Sequence, residues 1–242
     1  MARSYKLSRI SFIFLCLLIS AISLLSLPGA RALSRLKAGT IFHKKTSTPV
    51  AAATITVTGT ADNANLTLLN GNGTCDLREA IEASNTNATV GECVVSGVPG
   101  SDTIQFNIGT GTPTINLVAA LQSLNDAVMV LGDTGGATRV ELNGASAGSG
   151  VDGLVVLGGA STIRSLVINN FDGYGLVLSE LPGNTVTNCY VGVNAAGTAA
   201  APNSLDGIHI DALGNNNIIG GTASGTRNII SGNLGADRKS VV

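Results

Sequence analysis

Asp206, His209 and Asp211 are the groups in this sequence best spaced to move a proton between them. Histidine titrates near neutral pH, and a carboxylate beside it can orient its ring, so acids three residues before and two after give the candidate trio for acid–base work. Strand alternation weighs against it: Ile208 and Ile210 claim one face and send His209 to the other, where a solvated surface is the simpler reading. The other acids of this half, Asp133, Glu141, Asp152, Asp172 and Glu180, are scattered rather than clustered. Gly132-Asp-Thr-Gly-Gly136 has the outline of a nucleophile loop, but Thr134 stands where serine would and no suitable histidine precedes it. It reads as a corner. Tyr174 and Tyr190 are the aromatics to test as platforms for a sugar or a protein. Asp206, His209, Asp211, Tyr174 and Tyr190 are therefore surface candidates, and no catalytic residue, metal ligand or cofactor is assigned.

The cysteines are the other reactive groups. Cys16 lies in an uncharged run from Ile10 to Leu27 and follows Phe14 and Leu15 rather than small residues, which does not fit lipid attachment. Arg3, Lys6 and Arg9 precede the run, and Pro28 with Ala30-Arg31-Ala32 follows it. This order of basic, apolar and small-residue segments predicts a secretory signal peptide over 1–32, cleaved after Ala32. Four serines dilute the run, and no membrane span is expected after cleavage. Export leaves Cys75, Cys93 and Cys189 in an oxidising compartment, where a Cys75–Cys93 bridge is expected. Closing so short a loop contributes about 3 kcal/mol in the chain-entropy model. A metal site would need further Cys or His at ligand spacing, and the neighbourhood offers none.

Composition sets the architecture. Of 242 residues 31 are Gly, with 12% charged, 3% aromatic, no Trp and 44% hydrophobic. The chain is too apolar to be disordered and too poor in charge for a helical bundle, so many short strands with small turns are expected. Past Thr46 it carries 6 basic against 15 acidic residues. A phosphate backbone would be repelled, which excludes nucleic acid as a partner. Residues 33–53, with Arg35, Lys37, His43, Lys44, Lys45 and Pro49, follow no period and read as a linker.

One helix is expected, starting after Asp76. Asp76 can accept from the first amides and Glu79 can bond back, the pattern of a capping box. Leu77, Ala80, Ile81 and Ser84 then share one narrow face that something must cover. Cys75-Asp-Leu-Arg-Glu-Ala-Ile-Glu-Ala-Ser-Asn85, followed by Cys93 and Gly100-Ser-Asp-Thr-Ile104, resembles the CSLREA-type N-terminal domain of exported bacterial proteins, with Asp76 replacing the usual Ser or Thr. The resemblance covers about thirty residues. It implies export and a right-handed parallel β-helix downstream; its members mostly lack an assigned activity.

The second half repeats independently of that resemblance. Gly153-Leu-Val-Val156, Gly175-Leu-Val-Leu178 and Gly207-Ile-His-Ile210 recur at spacings of 22 and 32, with the extra residues at 195–204. Ile163, Leu166 and Ile168 recur as Val186, Cys189 and Val191, and Ile218 is expected to continue the first of these columns. A period near 22 with Gly and Asn corners predicts a solenoid. Leu154, Leu176 and Ile208 should form one interior column and Val156, Leu178 and Ile210 another. Cys189 then reads as a buried hydrophobe. Asn169, Asn170, Asn188, Asn194, Asn215, Asn216, Asn217 and Asn233 fall at corners, where Asn tolerates left-handed φ and can stack its amides.

The expected organisation is all-β: signal peptide 1–32, linker 33–53, N-terminal cap 54–101 with helix and disulfide, parallel β-helix 102–236, and a tail at 237–242. The tail's charge density breaks with what precedes it, and its codons can be written as a common sequencing-library adapter. It is expected to be non-native, with the gene continuing beyond Ala236. The expected role is a secreted or cell-surface structural or adhesive module without intrinsic catalysis, meeting extracellular polysaccharide or protein. The alternative is a polysaccharide lyase or hydrolase. The pectin-degrading type carries clustered aspartates with His-Gly and Arg-Ile-Lys elements, and none of these occur in this sequence.

Overall fold

The structure, a computed structural model, describes residues 52–65, 71–211 and 215–240. The expected signal peptide and nearly all of the expected linker lie outside the described residues. Alternating apolar residues in short runs build three sheets in which every strand pairing is parallel. The first contains β1 (Ala52–Val57), β2 (Val98–Phe106), β4 (Val128–Leu131), β7 (Thr162–Arg164), β10 (Thr185–Thr187) and β13 (Ile218–Ile219). The second holds β3 (Thr114–Asn116), β5 (Val140–Asn143), β8 (Leu166–Asn169), β11 (Tyr190–Val191) and β14 (Ile229–Ile230). The third holds β6 (Leu154–Val156), β9 (Leu176–Leu178), β12 (Ile208–Ile210) and β15 (Arg238–Ser240). From β4 onward the chain visits the three sheets in strict rotation.

Register places like residues over like. Leu154, Leu176 and Ile208 align, as do Val156, Leu178 and Ile210, and all six are buried. Leu166 and Cys189 share a buried column, and burial pushes the Cys189 thiol up to about 11. It acts as a small hydrophobe. One expected column is displaced: Val186 pairs with Ile219, whereas Ile218 pairs with Thr185 and is 58% exposed. A one-residue slip exchanges the faces of a strand, and here it takes Ile218 out of the interior.

Asparagines tie the layers at the corners. Ser161 N–H donates to Asn184 Oδ1 at 3.0 Å and Asn184 N–H to Asn217 Oδ1 at 2.8 Å. Phe171 N–H likewise donates to Asn203 Oδ1, and Asn203 N–H to Asn233 Oδ1. Asn170, Asn188 and Asn216 adopt left-handed φ. Asn169 departs from the corner reading: it ends β8, is buried, and donates to Glu141 Oε1 and the Val193 carbonyl.

The cap is more than a helix. Ala52 and Ala53, placed in the linker by their sequence, begin β1, with Ala53 fully buried. β1 is the outermost strand of the first sheet beside β2, which itself runs across the expected boundary at 101/102. Helix α1 (Leu77–Thr86) starts at Asp76 in a capping box with Glu79 and packs against β1 and β2. Leu77, Ala80, Ile81 and Ser84 are all buried, as the spacing predicts. Cys75 and Cys93 form a disulfide, with Cα atoms 4.6 Å apart. Arg78 supplies the tie that the sequence does not advertise. Its Nε meets Asp62 at 2.8 Å, with side chains 4% and 1% exposed, and its two terminal nitrogens donate to the Ala119 and Ala120 carbonyls. Asp62 Oδ2 also accepts from Val118 N–H, and Asn85 is bonded to Ser123 O and Asn125 N–H. Of the tail, Arg238–Ser240 is β15, paired with β12.

Candidate functional site

The third sheet turns Val155, Val177 and His209 to its outer side, since their neighbours Leu154, Val156, Leu176, Leu178, Ile208 and Ile210 are buried. His209 is not the solvated residue that alternation alone suggests. Its side chain is 17% exposed, because the ring of Tyr174 stacks on it at a centroid distance of 4.3 Å and an interplanar angle of 22°. His209 Nδ1 lies 3.2 Å from Asp206 Oδ2. Asp206 is buried, and its other oxygen accepts from Ala236 N–H at 2.8 Å. Asp211 bonds elsewhere, taking a hydrogen bond from the Ser179 hydroxyl. The expected trio is therefore an Asp206–His209 pair roofed by Tyr174, with Asp211 in a separate contact.

An imidazole held by a carboxylate at Nδ1 has its tautomer and ring plane fixed, which leaves Nε2 as the nitrogen able to exchange a proton. The carboxylates around this pair are spent on architecture. Positions 152, 174, 206 and 236 stand above one another by strand register, and Asp152 Oδ1 accepts from Tyr174 N–H at 2.7 Å just as Asp206 accepts from Ala236. Asp172 is used in the same way across three layers. It accepts from Gly150 N–H and from the hydroxyls of Ser149 and Ser204, which hold its carboxyl below the usual aspartate range, the Gly150 bond foremost. Asp172 and these two serines border an open groove of about 570 Å³ that also includes Ser146, Asn170 and Pro202.

Tyr190 belongs to β11 in the second sheet and does not join Tyr174. The Arg139 guanidinium lies over its ring at 3.7 Å while bonding Asn188 through the carbonyl and Oδ1. That face of Tyr190 is closed to a sugar. Thr134 is a corner residue, its hydroxyl accepting from Phe106 N–H and reaching the Phe106 and Leu131 carbonyls. Neither the Tyr174–His209 stack nor the Arg139–Tyr190 contact was read from the sequence. The signal was present in the register, because His209 aligns with Val177, three residues beyond Tyr174.

Among the described residues no group of three or more His, Cys, Asp or Glu side chains is arranged to hold a metal ion, and no helix is long and apolar enough to cross a membrane. No protein-family model, curated protein or solved structure matches the chain.

Proposed function

We propose that this chain is an exported structural or adhesive module: a CSLREA-type cap followed by a right-handed parallel β-helix, displayed at the cell surface or outside the cell, without intrinsic catalysis. The observation that carries the reading is that the acids nearest the histidine work as ties between layers. Asp152, Asp172 and Asp206 each accept a backbone amide from a neighbouring layer, so one oxygen of each serves stacking. Strands that rotate through three parallel sheets support the β-helix, since one full turn of such a solenoid contributes one strand to each face. The cap sequence fits the same reading residue by residue: Cys75 bonds Cys93, Asp76 and Glu79 box the helix start, and Arg78 and Asn85 hold the loop at 119–125.

A stack of this kind offers its outer faces to polysaccharide or protein. The deciding experiment incubates the purified exported chain with acidic polysaccharides, with and without calcium, and follows reducing ends and the ultraviolet absorbance of unsaturated products. No product is expected. Turnover that disappears in Asp206→Asn and His209→Ala would replace the structural reading with an enzymatic one. Retention on polysaccharide or cells lost in Tyr174→Ala would place the adhesive surface at the stacked pair.

A further inference from the structure

Two acids of the cap are left incompletely satisfied by the fold. Glu79 is fully buried, and its Oε2 accepts from Asp76 N–H at 3.1 Å. Glu92 Oε1 accepts from Gly71 N–H at 2.8 Å. The second oxygen of each, Glu79 Oε1 and Glu92 Oε2, is shut away from water without a hydrogen-bond partner. A buried carboxylate oxygen in that condition is costly unless a positive charge or a proton meets it. Burial pushes Glu79 above the usual glutamate range, and the charges of Asp76 and Glu92 push in the same direction. The nearest basic group in sequence, Arg78, is committed to Asp62 and to the Ala119 and Ala120 carbonyls.

The turn that leads into the helix and bonds Glu79 carries further oxygens. Asp76 accepts from Asn72 Nδ2 at 2.6 Å, and Asn72 Oδ1 in turn receives Thr74 N–H and its hydroxyl. Gly71 and Gly73 take φ of 88° and 86°, a backbone that glycine allows in the short loop from which Gly71 N–H reaches Glu92. Glu92 also borders an open groove of about 250 Å³ with Thr54, Thr56, Val94 and Ser96. An all-oxygen set with two under-used carboxylates suits a hard divalent cation, with water and neutral oxygens completing the shell.

We propose that Glu79 and Glu92 bind a calcium-class divalent cation that locks the Gly71–Thr74 loop onto the start of helix α1. Two carboxylates without a third give modest affinity, about 10⁻⁴ to 10⁻³ M, the range of extracellular calcium modules. The site acts on cap stability and is independent of whether the outer faces bind or cleave anything.

The test is thermal unfolding of the purified exported chain in chelated buffer at neutral pH, titrated with calcium and separately with magnesium, for the parent, Glu92→Gln and Glu79→Gln. Calcium is expected to raise the melting temperature of the parent by several degrees, and each substitution is expected to weaken the midpoint at least tenfold. Glu92→Gln keeps the test decisive if Glu79→Gln folds poorly, since Glu92 lies outside the helix. A parent indifferent to calcium overturns the proposal. So does a calcium response retained in both variants, which puts the ion elsewhere, and so does a parent stabilised only by acidification, which makes a shared proton the group between the two acids.

Discussion

The N-terminal edge of the strand stack and its last described strands differ. Beside β1 and β2 the chain spends a helix, a disulfide and a buried Arg78–Asp62 pair on closing the edge. At the other end β13 and β14 are two residues each, β13, β14 and β15 have a strand neighbour on one side only, and Ile218 and Leu234 are 58% and 72% exposed. The contrast shows that strands of two to four residues owe their burial to neighbours above and below rather than to their own composition. Where one neighbour is missing, the inward-facing Ile219 and Ile230 are only half-buried.

The comparison breaks first at Arg78. Arg78→Ala leaves the Asp62 carboxylate buried with only Val118 N–H as its remaining bond and strands two carbonyls, and removing one member of a buried pair typically costs about 3 to 5 kcal/mol. Urea unfolding should show that loss; a change under about 1 kcal/mol would mean the cap contributes little to the stack. Ile163→Ala comes next. Ile163 is fully buried between Val130 and Val186, so the deletion should cost about 2 to 5 kcal/mol. Reduction of the Cys75–Cys93 bridge, or Cys93→Ser, should cost about 3 kcal/mol, read as a fall in the urea midpoint on adding a thiol reductant.

Glu79→Gln sharpens the contrast through pH. Burial, with Asp76 and Glu92, raises the folded-state pKa of Glu79, so its contribution to stability is full below the unfolded pKa and is lost as pH rises through the folded one. Glutamine carries no charge to bury. In chelated buffer the variant should therefore gain on the parent as pH rises above the ordinary glutamate range. Parallel stability profiles for the two proteins would remove Glu79 from the pH response.

Much of this architecture is legible in the sequence because stacking repeats its own period. The Gly-headed strands at 153, 175 and 207 predict two interior columns that the register reproduces. The capping box is equally local, confined to Asp76 and Glu79. What escapes reading depends on one-residue offsets or on distant partners. Ile218 and Ile219 are the same residue type, and only the pairing with Thr185 and Val186 decides which faces inward. Ala52 and Ala53 join a strand because β2, some forty-five residues later, gives them a ladder. Tyr174 meets His209 across the insertion at 195–204, and Arg78 finds Asp62 sixteen residues upstream. None of these pairs shares a period with its partner, so periodicity was blind to all of them.

The smallest expected effect falls at Ile218, which the register turns to the outer face of β13. Ile218→Ala removes the same atoms as Ile163→Ala, in the same sheet and from the same kind of parallel strand. Because Ile218 is 58% exposed and Ile163 fully buried, the substitution should change global stability by about 0.5 kcal/mol or less. Native-state hydrogen exchange gives the sharper readout, since the amides of β13 and β14 should exchange faster than those of β7 and β8 by local opening. Ile218→Ala should speed exchange in β13 without altering β7. If Ile218→Ala instead costs as much as Ile163→Ala, something covers β13 in solution, and the two ends differ less than their exposure indicates.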